Sequence, residues 1–264
     1  MRLALIAGSG GLPAAIAGAQ DDAPLVCALE GHAPDGLAVD EFFRLETLGS
    51  LLKRLGARGV TDVCFCGSIA RPALEPSRID AETLPLVPVF MAALQKGDDG
   101  ALRAAIGIFE QAGFIIRAAH ELLPGLTLET GVLTARCPGP GHERDATLGE
   151  AVLAEMGQAD LGQACILCRG AVLARETDSG TDAMLDSYAA AGHATRGAIL
   201  FKAPKPGQDF RADLPTIGPE TARGAARAGL DGIVIEAGAV IVLERETVIR
   251  SLDAAGLFLW VRAP

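Results

Sequence analysis

Residues 2–30 read RLALIAGSGGLPAAIAGAQDDAPLVCALE, and this stretch decides the fold class. The apolar run Arg2–Ala7 predicts a strand, a glycine-rich turn follows it, and Leu12–Ala19 predicts a helix. A second strand is expected over Pro24–Leu29, and it ends at the acidic Glu30. The order strand, glycine turn, helix, strand and acid is typical of a nucleotide-binding βαβ unit.

The match to that nucleotide-binding pattern is incomplete, because Pro13 stands where the third glycine belongs. Proline suits the first turn of a helix, where its missing N–H would have no partner. Close packing of the helix against the strand explains the glycines about as well as a bound phosphate does. The turn lacks a Gly-Lys-Ser/Thr ending, which excludes a P-loop.

Strands and helices continue to alternate through the first half of the chain. Strands are predicted over Phe42–Leu45, Val60–Cys66 and Phe114–Arg117, and helices over 48–55, the end of Leu84–Leu94, and Ala101–Ala112. The polar turn GSIARP follows the strand that ends at Cys66, and open α/β sheets bind ligands at such carboxyl ends. We therefore expect residues 1–130 to form a Rossmann-like α/β domain with a mostly parallel sheet.

Turn-forming residues mark the best boundary, over the stretch PGLTLETGVLTARCPGPGHERDA at 124–146. We predict a linker over 131–146 and a second α/β domain with a mixed sheet over 147–264. The second domain opens with a helix at Leu148–Met156. Hairpins are expected around Arg169-Gly170 and around Gly238.

Composition excludes several classes of protein. The 264 residues carry a formal charge of −10, which argues against nucleic-acid binding. The uncharged run Leu3–Gln20 is broken by glycines and a proline, so no transmembrane span or signal peptide is expected. The pair Cys165 and Cys168 lacks a second pair at zinc-site spacing, so all six cysteines are interpreted as reduced structural thiols in a cytoplasmic protein.

The most informative loop is Phe201–Thr221, with the sequence FKAPKPGQDFRADLPTIGPET. Prolines and glycines stiffen its backbone, and its charged side chains are Lys202, Lys205, Asp209, Arg211, Asp213 and Glu220. Cations and carboxylates on a stiff loop after a strand suit an anionic ligand, with or without a divalent metal. A surface turn before a proline-started helix is the alternative interpretation.

Two further acidic stretches precede predicted helices. The first is KGDDGALR, in which Asp98 or Asp99 serves as an N-cap or takes part in a metal–phosphate site. The second is ETDSGTD at 176–182, where Thr181 or Asp182 is able to cap the helix. The start of a helix stabilises negative charge, but several carboxylates side by side repel one another there. A bound cation would neutralise this repulsion, so the acidic stretch favours a metal site.

Several segments together resemble the LpxI family. They are IAGSGGLP, GSIARP, KGDDGALR, DLGQ, GTDAML, RADLPTIGPET and GLDGIVIEAG, in the family's order and over nearly the whole chain. Ser179 stands where family members often have glutamate, which leaves an acidic role at this position unsupported while Asp182 is retained.

The resemblance implies a UDP-2,3-diacylglucosamine pyrophosphatase of lipid A synthesis in Gram-negative bacteria. Such an enzyme splits its substrate into UMP and 2,3-diacylglucosamine 1-phosphate (lipid X), and water attacks the phosphorus on the lipid-sugar side. It is a two-domain enzyme that uses Mg²⁺, with Mn²⁺ as the alternative ion. The expected location is the cytoplasm, in peripheral contact with the inner membrane, and a homodimer is left open. The acyl chains require an apolar cleft, for which Leu84–Leu94 or the boundary between the domains is a candidate.

The resemblance and the residue chemistry together define candidate site residues. We expect Asp213 to be the principal metal ligand or water-orienting base, with Asp182 next and Asp98 or Asp99 after it; Lys202 completes the catalytic set. Predicted metal ligands are Asp213, Asp182 and Asp99. Predicted substrate-binding residues are Gly8, Ser9, Gly10, Gly11, Ser68, Arg71, Asp98, Arg103, Thr181, Lys205, Arg211 and Thr216.

Two other functions compete with this hypothesis. A nicotinamide-dependent oxidoreductase would use the first βαβ unit and Glu30, and it leaves the charged loop at 201–221 unexplained. A non-catalytic module would bind a UDP-sugar and leave it intact.

Overall fold

The computed structural model describes residues 1–70, 74–94, 97–159, 161–192 and 196–263, without the side chains of 94 and 97–99. The chain divides into two compact units. The first contains Met1–Pro124 and the short segment Asp209–Asp213, and the second contains Gly125–Gln208 and Leu214–Pro264.

The first unit alternates strands and helices. In chain order its elements are β1 (Leu3–Ala7), α1 (Leu12–Gly18), β2 (Leu25–Leu29), β3 (Glu41–Phe43), α2 (Leu48–Ala57), β4 (Asp62–Cys66), α3 (Val87–Leu94), α4 (Gly97–Gln111), β5 (Ile115–Ile116) and α5 (Ala119–Leu122). Pro13 lies in the first turn of α1, as the sequence predicts. Leu48, Leu51 and Leu55 recur along α2 at helical spacing and are all buried.

The five strands of the first unit form one parallel sheet in the order β3-β2-β1-β4-β5. The strand order 3-2-1-4-5 is also that of doubly wound nucleotide-binding sheets. Every residue of β1 and β4 is buried, which a parallel sheet requires when helices cover both of its faces. The carboxyl ends of β1 and β4 therefore lie side by side at one edge of the sheet.

The second unit has more varied strand directions. Its elements are β6 (Gly131–Val132), α6 (Pro140–Gln158), β7 (Ala164–Cys168), β8 (Ala171–Arg175), α7 (Gly180–Ala190), β9 (Ile199–Lys202), β10 (Thr216–Ile217), α8 (Pro219–Arg227), β11 (Gly232–Glu236), β12 (Ile241–Val242), α9 (Arg245–Ala255) and β13 (Phe258–Arg262). The main sheet runs β6-β13-β11-β9-β7-β8. Strand β11 pairs in parallel with β9 and β13. Strand β6 pairs antiparallel with β13, and β7 pairs antiparallel with β8 and β9. The prediction of two α/β domains, one mostly parallel and one mixed, is confirmed.

Helices cover both faces of the second sheet. Leu185, Ala225 and Leu252 from α7, α8 and α9 pack on one face, and Leu153 from α6 packs on the other. Gly149 of α6 is needed for this packing, because a Cβ there would lie 2.5 Å from the ring of Phe201. Within the described residues, none of the helices combines the length and apolar character needed to cross a bilayer.

The predicted hairpin around Gly238 is wrong. Strand β11 belongs to the six-stranded sheet, whereas β12 pairs in parallel with β10, through Thr216 opposite Ile241 and Ile217 opposite Val242. Gly238 does adopt a left-handed φ of +69°. The local turn chemistry is therefore present, but β12 finds its hydrogen-bonding partner elsewhere in the chain.

The stretch predicted as a linker at 131–146 contains β6 and the first turns of α6. This helix begins at Pro140, ahead of the predicted start at Leu148. Its Asp145 is buried and accepts hydrogen bonds from the backbone N–H groups of Arg169 and Gly170, at 2.8 and 2.6 Å. Both turn residues have positive φ, as a two-residue hairpin requires, so Asp145 stabilises the predicted β7–β8 turn from the neighbouring helix.

Candidate functional site

Two glycine loops meet at the carboxyl edge of the first sheet. The loop after β1 and the loop after β4 are joined by hydrogen bonds between the main chains of Ser9 and Ser68, at 2.8 and 2.9 Å. A Cβ on Gly8 would lie 2.4 Å from the carbonyl oxygen of Ser68, and one on Gly67 would lie 2.6 Å from that of Gly8. Both glycines are therefore required by the close approach of the two loops.

The predicted phosphate cradle at Gly8–Gly11 is partly engaged by this contact. The N–H of Gly8 donates to the carbonyl of Cys66 at 2.8 Å, and the N–H of Ser9 donates to Ser68. Gly10 has φ +98°, a conformation that glycine adopts without strain. Because the N–H groups of Gly8 and Ser9 already have acceptors in the protein, phosphate binding by this loop would rely on the N–H groups of Gly10 and Gly11 and stays a prediction.

An apolar cavity of about 750 Å³ opens at the same edge of the sheet. Its walls come from the ends of β1, β2 and β4 and from helices α2, α3 and α4. Some lining side chains are almost fully buried, such as Leu48 and Phe109, and others are exposed, such as Met91 at 52%. Among the described residues that line it, Asp213 is the charged one, and Ser68 contributes a hydroxyl group.

The short segment Asp209–Asp213 is held against the first unit by Arg211. The guanidinium donates to both carboxylate oxygens of Asp209, at 2.9 and 2.7 Å, and to Glu110 of α4 at 2.6 Å. The guanidinium hydrogen bonds hold the pKa of Asp209 below its usual value of 3.8, and the carboxylates raise the pKa of Arg211. These contacts anchor the loop, and phosphate binding by Arg211 stays a prediction.

Asp213 lies next to this anchor, in the same segment. Its side chain is partly buried, and with Ser68 it lines the cavity. Arg103 is exposed on α4, and its charge contributes to lowering the pKa of Asp209. Arg71 and the side chains of Asp98 and Asp99, all predicted site residues, lie outside the described part of the structure.

In the second unit, Lys202 belongs to a buried hydrogen-bonded chain. Its Nζ donates to the hydroxyl of Thr181 at 2.6 Å, and that hydroxyl donates to Glu176 at 2.6 Å. The second oxygen of Glu176 accepts the backbone N–H of Gln163 at 2.5 Å. Lys202, Thr181 and Glu176 are all below a tenth exposed. These hydrogen bonds link the end of β9 to the start of α7 and occupy both carboxylate oxygens of Glu176.

The remaining predicted residues of the second unit are more accessible. Asp182 is exposed on the first turn of α7, where Thr221 of α8 donates to it at 3.4 Å. Thr216 lies in β10, and its hydroxyl donates a hydrogen bond to the carbonyl of Leu214. Lys205 is partly exposed in the loop after β9. Their substrate contacts stay predictions.

The donor chemistry is compatible with Mg²⁺, although no complete protein cage exists among the described side chains. No three histidine, cysteine, aspartate or glutamate groups in that part of the chain converge to hold an ion. Mg²⁺ is usually held by one or two carboxylates together with substrate phosphates and water. Asp213 and Asp182 are each accessible hard-oxygen donors and fit that mode individually.

Cys165 and Cys168 are both buried, which indicates a structural role. Cys165 and Cys168 lie in β7 and belong to the apolar clusters on opposite faces of the sheet. Two thiols that point to opposite faces cannot bind one zinc ion. Burial raises the pKa of Cys165 to about 12, so this thiol stays protonated at neutral pH.

The sequence predicts an apolar cleft that involves Leu84–Leu94, and this segment does line the cavity; the other walls of the cavity and the contacts of Arg211 were not predicted. One signal for the cavity was present, because α3 reads VPVFMAAL and carries no polar face. A second was the spacing of Ala101, Ala105 and Phe109, which places two small residues and one large one on the same face of α4. No local signal separates Arg211 from Asp213, because the second partner of Arg211 is Glu110.

Comparison with known proteins covers both units. The family model described as the LpxI N-terminal domain matches residues 2–126, and the one described as the LpxI C-terminal domain matches residues 129–260. The protein named UDP-2,3-diacylglucosamine pyrophosphatase LpxI from Caulobacter vibrioides is 41% identical over 275 aligned residues, which cover 98% of this chain and 96% of that protein. The chain therefore belongs to the LpxI family, as its motifs predict.

Proposed function

We propose that this protein hydrolyses the diphosphate of UDP-2,3-diacylglucosamine and releases UMP and 2,3-diacylglucosamine 1-phosphate. The observation that carries the proposal is the identity of 41%, over 98% of the chain, to a protein named for the pyrophosphatase reaction on that substrate. The match extends through both units, so the substrate-binding and reacting parts of such an enzyme have counterparts here.

The proposed reaction needs a water, a neutralised diphosphate and a leaving UMP. A new bond forms between the water oxygen and the phosphorus on the lipid-sugar side, and the bond from that phosphorus to the bridging oxygen breaks. The bridging oxygen leaves with UMP, and the water loses a proton. Because the diphosphate is anionic, the site must offset its charge before a nucleophile approaches.

Asp213 is the residue we assign to orient that water or to hold a metal ion. It is a partly buried carboxylate on a segment anchored by Arg211, and like Ser68 it lines the cavity. A carboxylate on a fixed segment loses little freedom when it binds, which favours a reacting group. Mg²⁺, when bound, supplies positive charge to the diphosphate.

We assign Lys202, Thr181 and the partly exposed Lys205 of the second unit to bind the phosphate groups, and the exposed Asp182 to hold the metal ion. Support for Lys202 comes from its position at the carboxyl end of β9, where α/β sheets bind ligands. Its hydrogen bond to Thr181 fixes both groups relative to α7.

Peripheral contact with the inner membrane is also part of the proposal. Leu84, Val89 and Met91 are exposed apolar side chains in the segment that forms one wall of the cavity. Apolar side chains beside a lipid site favour contact with a bilayer surface. The chain's charge of −10 gives no general attraction to anionic lipid, so this contact depends on apolar insertion. A homodimer stays a prediction.

Two assays separate the three candidate functions. The purified chain is mixed with UDP-2,3-diacylglucosamine in Mg²⁺ or in a chelator, and UMP and the lipid product are measured by mass spectrometry. UMP released in Mg²⁺ supports the hydrolase, and an intact bound substrate indicates the binding module. The oxidoreductase requires that NAD(H) protect the protein against thermal unfolding, and that this protection survive the chelator.

The variant Asp213→Asn should reduce UMP release by about 100-fold or more, the range expected when one reacting group is lost. The control is Asp186→Asn, which removes an exposed aspartate that pairs with Arg227 on the surface. Equal losses in the two variants would remove Asp213 from the mechanism.

A further inference from the structure

Glu176 is held in place by the segment DLGQ, one of the stretches that resemble the LpxI family. The N–H of Gln163 donates to Oε2 of Glu176 at 2.5 Å. A Cβ on Gly162 would lie 2.5 Å from Cγ and 2.6 Å from Cβ of Glu176, so glycine is needed to leave room for this side chain. The carbonyl of Gln163 accepts from the N–H of Ala203, the residue after Lys202, at 3.2 Å. The segment therefore fixes Glu176 and is itself fixed to the end of β9.

Donor and acceptor chemistry gives each hydrogen bond of the buried chain its direction. An ammonium group only donates, so Thr181 accepts from Nζ of Lys202 at 2.6 Å. The single hydroxyl proton of Thr181 then goes to Oε1 of Glu176, also at 2.6 Å, and the carboxylate accepts through both of its oxygens. The Thr181 hydroxyl turns its lone pairs towards Lys202 because Glu176 takes its proton.

We propose that Glu176 is a positioning residue that acts on Lys202 through Thr181. The assignment rests on the proposed function, in which Lys202 binds a phosphate group. With its proton on Glu176, the Thr181 hydroxyl serves phosphate binding by holding the ammonium group at the carboxyl end of β9. A positive charge that is fixed in place before the substrate arrives favours a reaction in which negative charge develops on the phosphate.

Stability alone does not account for an ammonium group at this position. Lys202 is 6% exposed, and Thr181 and Glu176 are each 7% exposed, so charged groups have been taken out of water at a cost in free energy. Apolar side chains of similar volume often fill such a space with equal or greater stability. The polar chain is therefore explained by a need for the ammonium group at this end of β9.

The first test measures kcat for UMP release in variants that alter the link between Glu176 and Lys202. Thr181→Val keeps the branched shape and removes the hydroxyl, so kcat should fall by up to about 100-fold as the ammonium group loses its fixed place. Thr181→Ser keeps the hydroxyl and should retain most of the activity. Glu176→Ala removes the acceptor of the Thr181 proton and should lower kcat in the same way as Thr181→Val, measured under conditions in which each variant is folded.

Gly162→Ala displaces Glu176 without removing its carboxylate, and it replaces Glu176→Ala should that variant fail to fold. The new Cβ needs space that Glu176 occupies, so the side chain has to shift and kcat should fall. The matched control is Gly141→Ala, at an exposed position of α6 where a Cβ meets no atom of the described residues within 4 Å. This control should keep the kcat of the wild type.

The Lys202 ammonium group also provides a signal that does not depend on turnover. A buried, hydrogen-bonded ammonium group exchanges its protons slowly with water and is visible in a proton–nitrogen correlation spectrum of the isotope-labelled protein. Lys202→Arg identifies the signal by removing it. The signal should persist in Thr181→Ser and Gly141→Ala, and it should shift or vanish in Thr181→Val and in Glu176→Ala.

Several results would overturn the proposal. They are a near-wild-type kcat in folded Thr181→Val, equal losses in Thr181→Ser and Thr181→Val, and a Lys202 signal that Glu176→Ala leaves in place. A wild type that releases no UMP while its Lys202 signal responds to these variants would keep the hydrogen-bonded chain and lose the proposed function. A wild type that releases UMP at a rate that none of these variants changes would keep the proposed function and lose the positioning role of Glu176.

Discussion

The Glu176→Ala variant tests whether the buried chain from Lys202 to Gln163 stabilises the second unit. In the native protein, Glu176 accepts from the Thr181 hydroxyl at 2.6 Å and from the Gln163 N–H at 2.5 Å, and Thr181 accepts from Lys202. Glu176 is 7% exposed and Lys202 is 6% exposed, so water does not readily replace the missing carboxylate. Alanine therefore removes the acceptor of two donors and a negative charge near a buried ammonium group.

The expected loss of unfolding free energy is large. Each buried donor left without an acceptor costs about 1–3 kcal/mol, and removal of one partner from a buried ionic group costs about 3–5 kcal/mol. These costs overlap, so we expect about 3–5 kcal/mol in total. Glu176→Gln keeps one oxygen acceptor and should lose less. The exposed Glu155, which pairs with Arg175 at 3.4 Å, provides a control whose removal should cost about 0–1 kcal/mol.

Urea unfolding followed by tryptophan fluorescence measures this difference. Trp260 is the single tryptophan of the chain and lies in β13, so its emission reports on the second unit. The Glu176→Ala midpoint should fall well below that of Glu155→Ala, with an unchanged slope. A Glu176→Ala protein within about 1 kcal/mol of the wild type would show that the hydrogen-bonded chain does not stabilise this unit.

Three further predictions concern the first unit and the thiols. The folded-state pKa of Asp209 is below 3.8, so this carboxylate should stabilise the folded protein above pH 3.8. That stability is lost as the pH falls through the folded-state pKa. Asp209→Asn should therefore make the unfolding free energy fall less steeply at acid pH. An equally steep limb in the variant would contradict the ion pair with Arg211. Iodoacetamide should alkylate the exposed Cys137 in the native protein, whereas the buried Cys165 should react only after unfolding, as read by peptide mass spectrometry; early modification of Cys165 would be inconsistent with its burial. Leu84→Glu should reduce sedimentation of the protein with phospholipid vesicles, and equal sedimentation of the variant and the wild type would remove this segment from the membrane contact.

The elements that local patterns determine were predicted from the sequence. Continuous apolar runs predicted β1, β2 and β4, and Pro13 and Pro219 lie at the starts of α1 and α8. These features depend on residues within a few positions of each other. A short stretch of sequence is therefore enough to predict them.

Features that depend on distant partners were not predicted. The Gly238 turn has the local chemistry of a hairpin, yet β12 pairs with β10. The charged GHERD segment looks like solvent-exposed linker, but Asp145 within it is buried against a hairpin turn that follows it in the chain. A sequence shows the charge of such a residue and not its partner.

The candidate site was predictable in composition and only partly in geometry. Asp213 and Arg211 stand two residues apart in one charged loop, and the sequence predicted that Asp213 binds a metal ion or the water and that Arg211 binds a phosphate group. The structure separates them, because Arg211 bonds to Asp209 and to Glu110 in α4, whereas Asp213 lines the cavity. The apolar cavity itself forms from several segments that are distant in sequence and whose individual sequences resemble ordinary core.

Hydrolysis in water enriched in the heavy oxygen isotope shows whether the chain cleaves the diphosphate and which phosphorus the water attacks. The purified chain is incubated with UDP-2,3-diacylglucosamine and Mg²⁺, and the two phosphate products are weighed by mass spectrometry. We expect one heavy oxygen in the diacylglucosamine 1-phosphate and none in UMP, with turnover lost in Asp213→Asn. An intact substrate, or the heavy oxygen in UMP, would contradict it.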